Sequence, residues 1–329
     1  MLLLWVLACA PRVQPQSPAS MQMGAGELVI RGTPMERAQA PEADLVLFYG
    51  GEIGGSLGTC GCPDRPRGSL ARMATYLQAS REAHPGQRDL VLMGGDWLMN
   101  PTSPNGSPSA QAPVANGYVA LAFNTMGVDA ANVGYGDLAG VLALSPRPEW
   151  VVSTNTQGLP STRVVERDGV RVGILAITRF GVQPLPGHSI ADPYTPAAAA
   201  LQELSQSTDV LVLMSYGAAE VAAQLARDFP ELDVVIDADM HRGFFEPDTI
   251  GDAIWVRSHY QTMRLGELRL DLSGEKAALI VDRKIDLDPL LPDDPAIGAL
   301  ATEAAEAVAQ ALEGTTKEDA TQPYVLNPE

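Results

Sequence analysis

From residue 45 onward the chain repeats one order: a short apolar run, an exit rich in Gly, Asp or Asn, then a stretch with helical spacing. The clearest instance spans residues 44–77. There the run 45–49 has the length and β-favouring residues of a buried strand, and it empties into Gly50, Gly51, Gly54, Gly55 and Gly58. A helical pattern follows from about residue 67. Residues 89–93, 129–133, 150–153, 209–214 and 233–236 repeat the strand signal, with helices predicted over 69–84, 115–126, 197–206 and 218–228. Strands alternating with helices imply a layered α/β domain with its helices outside. Five strand exits carry Gly, Asp, Asn or His, which gathers a site at one edge of a sheet. Residues 162–177 read as a hairpin turning at Asp168-Gly169. The runs 253–257, 266–272 and 277–286 are expected to form an antiparallel set, and the Ala- and Glu-rich stretch 295–312 a helix.

The net charge of −18 and a pI near 4.5 argue against a nucleic-acid partner and against adhesion to anionic headgroups, since both reward basic patches. At the N-terminus an apolar segment is too short to span a bilayer and long enough for a signal core. Its Val6-Leu7-Ala8-Cys9 is similar to the lipobox of bacterial lipoproteins. That resemblance implies a lipidated Cys9 tethering the chain to a membrane of the bacterial cell envelope, as a periplasmic or outer-membrane lipoprotein. It also leaves Cys60 and Cys62 as a pair in an oxidising compartment. The organisation expected is a signal over residues 1–9, a flexible Pro-, Gln- and Ser-rich tether over 10–42, one domain over 43–290, and a C-terminal helix and tail over 291–329.

The motifs of that domain come in a telling succession: the strand and glycine loop followed by Gly68-Ser69-Leu70-Ala71-Arg72, then Gly95-Asp96, Gly134 to Asp137, Ser153 to Asn155, and Asp233-Val234-Val235-Ile236 leading to His241. In this order they resemble the catalytic domain of 5′-nucleotidases, within the calcineurin-like metallophosphoesterases. The resemblance implies a four-layer αββα sandwich, two mixed β-sheets flanked by helices, and a dinuclear metal centre that activates water for phosphoester hydrolysis. Asp96 matches the bridging aspartate, and Asp239 and His241 match the two histidines of the last metal motif. At the family's opening Asp-x-His only Glu52 offers an oxygen. Its Gly-Asn-His-Glu reads Gly134-Tyr135-Gly136-Asp137, and a further histidine is replaced by Ser215 or Tyr216. A bridged two-metal site needs about seven or eight protein ligands. This chain supplies at most four of them. The expectation is therefore a largely lost dinuclear centre, with at most one divalent ion (Mn, Zn or Fe) at Asp96, Asp239 and His241.

What the chain has instead is Cys60-Gly61-Cys62-Pro63. This resembles a bacterial branch of the same fold in which Cys-Gly-Cys follows the first strand and, in some members, selenocysteine takes a sulfur position, which implies redox chemistry. Two thiols at i and i+2 close only a small, strained ring, and strained disulfides are the more readily reduced ones. Arg65, Arg67, Arg72 and the start of the following helix favour thiolate over thiol. An inert pair, or a partial site for a soft ion such as Cu(I), fits the same residues. Glu52, Arg72, Tyr135, Asp137, Asn155 and His259 fall near strand exits or helix starts and are candidates to line the pocket. Three functions follow from different classes: thiol redox or ligand binding at Cys60 and Cys62 with a redox or envelope protein partner, a metal-dependent phosphoester hydrolase, or a non-catalytic partner-binding module.

Overall fold

A computed structural model describes residues 22–24, 27–59, 64, 66–102, 108–134, 136–179, 189–238 and 246–313. In chain order its first half holds β1 (Gln22–Gly24), β2 (Glu27–Ile30), α1 (Pro34–Ala38), β3 (Leu45–Gly50), α2 (Leu70–Ala83), β4 (Asp89–Met93), α3 (Ala112–Met126), β5 (Ala130–Asn132), α4 (Asp137–Ala143) and β6 (Val151–Val152). The second half holds β7 (Thr162–Arg167), β8 (Val170–Thr178), α5 (Tyr194–Leu204), β9 (Val210–Tyr216), α6 (Ala219–Asp228), β10 (Val234–Asp237), β11 (Asp248–Ile250), β12 (Ala253–Arg257), β13 (Arg264–Asp271), β14 (Ala278–Asp286) and α7 (Pro295–Leu312).

Two mixed sheets result. One runs β1-β2-β14-β13-β3-β4-β5-β6 and the other β11-β12-β10-β9-β8-β7. Side-chain alternation explains why so many strands are continuously apolar. In β3, Leu45, Leu47 and Tyr49 enter the core between the sheets with Val212, Met214 and Ile236 of the second sheet. Val46 and Phe48 face the other way, toward Met73 and Tyr76 of α2 and Phe123 of α3. Both faces of the strand are dry, so both must be apolar. The second sheet repeats this, with Leu211, Leu213 and Val235 packed on Ala197 and Leu201 of α5 and Leu225 of α6. Helices, sheet, sheet and helices make the four layers. Each fully buried Leu or Phe contributes about 1.5–3 kcal/mol of transfer free energy.

The hairpin turns where expected, and both Asp168 (φ 45°) and Gly169 (φ 82°) take the left-handed backbone that a two-residue primed turn requires. Two expectations are corrected. Residues 253–257 do not join the antiparallel set: β12 lies parallel to β10 in the second sheet, while β13 and β14 pair antiparallel in the first. An apolar five-residue run carries no information about its partner. Part of the stretch assigned to the tether is also built into the domain. Ile30 of β2 pairs with Ile285 of β14, and the buried Arg37 of α1 bonds to Gly32 O (2.6 Å), Asp288 (2.6 Å) and the carbonyl of Asp286. The anchors on β14 and beyond it lie some 250 positions away in the chain, farther than local composition can register. Cys9 lies outside the described residues; among the described ones, no helix is long and apolar enough to cross a membrane.

Candidate functional site at the strand exits

The exits of β3 and β4 are zipped together by backbone hydrogen bonds. Gly94 N–H donates to Gly50 O (2.7 Å), Glu52 N–H to Gly95 O (2.8 Å), Gly54 N–H to Asp96 O (3.0 Å) and Gly55 N–H to Trp97 O (3.0 Å). The second sheet meets them there. A Cβ on Gly94 would stand 2.3 Å from the Cβ of Ala238, so only glycine lets the exits of β4 and β10 touch. Glu52 (φ 56°) and Asp96 (φ 49°) both hold left-handed backbone without being glycine, a strain that surrounding structure has to impose and that marks functional sites.

Asp96 sits at the centre. Its Oδ1 accepts from Gly136 N–H (2.7 Å) and its Oδ2 from the Tyr216 hydroxyl at the end of β9. Burial raises its pKa against the pull of those two hydrogen bonds. Asp137, fully buried at the start of α4, accepts from Leu98 N–H (2.7 Å), Gly134 N–H (2.7 Å) and the Asp96 amide. Burial, and next the Asp96 charge, push it well above the usual carboxylate range against those three donors. Tyr216 is driven upward by burial, then by the Asp96 charge and hydrogen bond, with Glu52 and Asp137 adding to it, so its hydroxyl is a fixed donor.

A carboxyl raised in the folded state holds its proton longer there than in the unfolded chain, so it favours folding in acid and withdraws that support as pH rises. Asp96 is thus expected to make stability fall with pH from its ordinary value of 3.8 upward through its raised folded value. Urea unfolding of Asp96→Asn against pH checks this: its stability profile flattens relative to wild type over that window.

Of the residues picked out in the sequence, Glu52, Asp96 and Asp137 all lie near enough to Tyr216 for their charges to act on its hydroxyl. His259 is buried in the segment after β12, and Thr262 of that segment donates to Gly51 O (2.9 Å), bringing it to the same mouth. Two candidates are structural ties instead. Asn155 spends its amide on Thr178 O (3.0 Å), Ala191 O (2.9 Å) and Thr178 N–H (3.0 Å), which fastens the exit of β6 to that of β8. Arg72 donates to Pro66 O (2.7 Å) and Leu287 O (3.3 Å), which fixes α2 to the chain beyond β14. Cys60, Cys62, Tyr135, Asp239 and His241 lie outside the described residues. The chain on either side of the two cysteines is joined, at a base formed by the bridge of Thr59 with Gly68 and the Leu70 N–H to Leu57 O bond (3.0 Å). Gly68 lies against Gln261, beside Thr262, so that base adjoins the mouth.

Tyr216, which the sequence placed with Ser215 only as a replacement for a family histidine, joins the site as a residue in its own right. Its signal was a polar pair, Ser215-Tyr216, closing an apolar strand just before a glycine. For the metal centre the fold implies, the donor set is poor: each oxygen of Asp96 and of Asp137 already carries a protein donor. Among the described residues, no three of His, Cys, Asp and Glu group closely enough to hold an ion.

No family model and no curated protein matches the chain. Solved structures do. The sulfate thiohydrolase SoxB of Thermus thermophilus superposes with a TM-score of 0.69 at 15% identity, over 83% of this chain and 62% of that one. A 5′-nucleotidase precursor, also from Thermus thermophilus, gives 0.63 at 20% identity, over 82% and 59%. The calcineurin-like phosphoesterase YfkN of Bacillus subtilis gives 0.63 at 14%, over 83% of this chain and 100% of that one. The chain spans about three-fifths of the first two. Two mixed sheets in register, helices on both outer faces and strand exits converging on one aspartate give this chain the fold of the 5′-nucleotidase and calcineurin-like phosphoesterases.

Proposed function

We propose that this chain is an envelope lipoprotein whose phosphoesterase-like domain has exchanged dinuclear metal hydrolysis for dithiol chemistry at Cys60 and Cys62. The observation that carries the reading is the state of Asp96, the one strong candidate for a bridging ligand, whose two oxygens are held by Tyr216 and Gly136. Supporting it, Thr59 and Gly68, which bracket the two cysteines in sequence, pair with each other beside Gln261 and Thr262. The neighbour named a sulfate thiohydrolase indicates that this scaffold is compatible with sulfur substrates. In the reaction proposed, one cysteine thiolate attacks a partner disulfide and the partner's second sulfur leaves as thiolate. The other cysteine then displaces the mixed disulfide. The chain is oxidised to a Cys60–Cys62 disulfide, the partner disulfide is reduced to two thiols, and the two protons pass to the partner.

Alkylation followed by mass spectrometry tests this. Cys60 and Cys62 are expected to resist alkylation as isolated and to label together after mild reduction, and Cys60→Ser or Cys62→Ser abolishes net reduction of a model disulfide, any remaining reaction stopping at the mixed disulfide. Thiols that label equally before and after reduction and do not reduce a model disulfide would refute it and favour a partner-binding module. A second reading, favoured by the fold, is phosphoester hydrolysis with one ion on Asp96, Asp239, His241 and Glu52. Bound transition metal together with Mn²⁺-stimulated phosphatase activity is the result that selects it.

A further inference from the structure

The metal that the fold implies and the residues around Asp96 disagree, and one side-chain contact lies at the centre of the disagreement. We propose that Tyr216 is the group that bars a divalent cation from Asp96, its hydroxyl occupying the carboxylate oxygen such an ion would need. An O–H aimed at Oδ2 places its positive hydrogen on a lone pair of that oxygen, so an ion there has to compete with the phenol for it. The other oxygen is no freer. Gly136 N–H holds Oδ1, and the turn carrying Gly136 is pinned by Asp137, which accepts from Gly134 N–H at 2.7 Å and donates its own N–H to Gly134 O at 3.3 Å.

The pocket is shaped around this phenol. A Cβ on Gly95 would lie 2.8 Å from Tyr216 Cδ2, and one on Gly134 would lie 2.4 Å from Asp96 Oδ1. Both positions therefore have to be glycine for the ring to reach the carboxylate. Asn132, at the end of β5, has its amide tied to the backbone: it donates to Ile177 O (2.9 Å) and accepts from Val133 N–H (2.8 Å). Neutral donors thus hold both oxygens of Asp96.

The inference deepens the functional reading at Asp96, yet its test leaves the thiols unread, so either can fail alone. Full-length wild type, Tyr216→Phe, Asp96→Asn and the Tyr216→Phe/Asp96→Asn double variant are dialysed against Mn²⁺, an oxygen-seeking ion that disregards a cysteine pair. Bound metal is counted by elemental analysis. Wild type and Asp96→Asn are expected to retain the same low level. Tyr216→Phe binds Mn²⁺ at least about tenfold more tightly, and the double variant loses that gain. Wild-type Mn²⁺ that disappears in Asp96→Asn, or a folded Tyr216→Phe that binds no more than wild type, overturns the proposal. Should Tyr216→Phe not fold, wild type decides. No Mn²⁺-dependent rise in its Tm supports the proposal, whereas a rise abolished by Asp96→Asn refutes it.

Discussion

Asp137→Asn is expected to lower the unfolding free energy by about 2–4 kcal/mol, and Asp137→Ala by more. The reason is a count of donors. Three backbone N–H groups, from Leu98, Gly134 and Asp96, converge on one buried carboxylate. Asparagine keeps one oxygen and turns an NH₂ toward the rest, so at least one N–H is left buried and opposed by another donor. Each such orphan costs about 1–3 kcal/mol. One term runs the other way. Burial and the neighbouring Asp96 charge raise the pKa of Asp137, so removing its charge relieves part of that penalty. The relief is smaller than the loss, because the amides cannot turn elsewhere: they belong to the exits of β4 and β5. Urea denaturation at neutral pH checks the order wild type, Asn, Ala. An asparagine variant as stable as wild type would mean that charge burial, rather than donor satisfaction, dominates this turn.

Much of the architecture was legible because its strands advertise two buried faces. Leu45 to Tyr49 and Asp89 to Met93 need no alternation when helices cover one side and a second sheet the other. The Asp168-Gly169 hairpin was legible because its turn needs two left-handed residues. What could not be read was pairing. The strand Ala253–Arg257 finds β10 through packing, with nothing local to announce it. The site divides the same way. Asp96 could be picked out as a carboxylate at a strand exit, but Tyr216 joins it across 120 positions. Asn155 and Arg72 look like pocket residues in sequence, and only the fold reveals that their polar atoms serve nearby carbonyls and amides. A polar side chain at a strand exit can serve a ligand or the backbone beside it, and sequence does not distinguish the two.

Glu267→Ala is expected to destabilise the protein by about 3–5 kcal/mol, the scale seen when one partner of a buried ionic cluster is removed. Glu267 lies in β13 on the helix-facing side of the first sheet. It accepts from Arg269 Nη1 (2.6 Å), from Arg283 Nη1 (3.1 and 3.2 Å) and from the Tyr76 hydroxyl of α2. All four residues are buried, so deleting the carboxylate strands two guanidinium groups where water cannot replace it. The cluster need not be a net gain over apolar packing, and the prediction concerns breaking it. A double-variant cycle separates the two cases: Glu267→Ala combined with Arg283→Met should cost less than the sum of the single changes, by about 1 kcal/mol or more. Additive effects would show that the two side chains act independently. The loss should also travel in a stated direction. Arg283 donates to the carbonyl of Arg37, and Arg37 holds Asp288 and the carbonyl of Asp286. Amide exchange in Glu267→Ala should therefore accelerate across residues 27–38 before it does in β9 and β10, since it is the former segment that is fastened through this cluster.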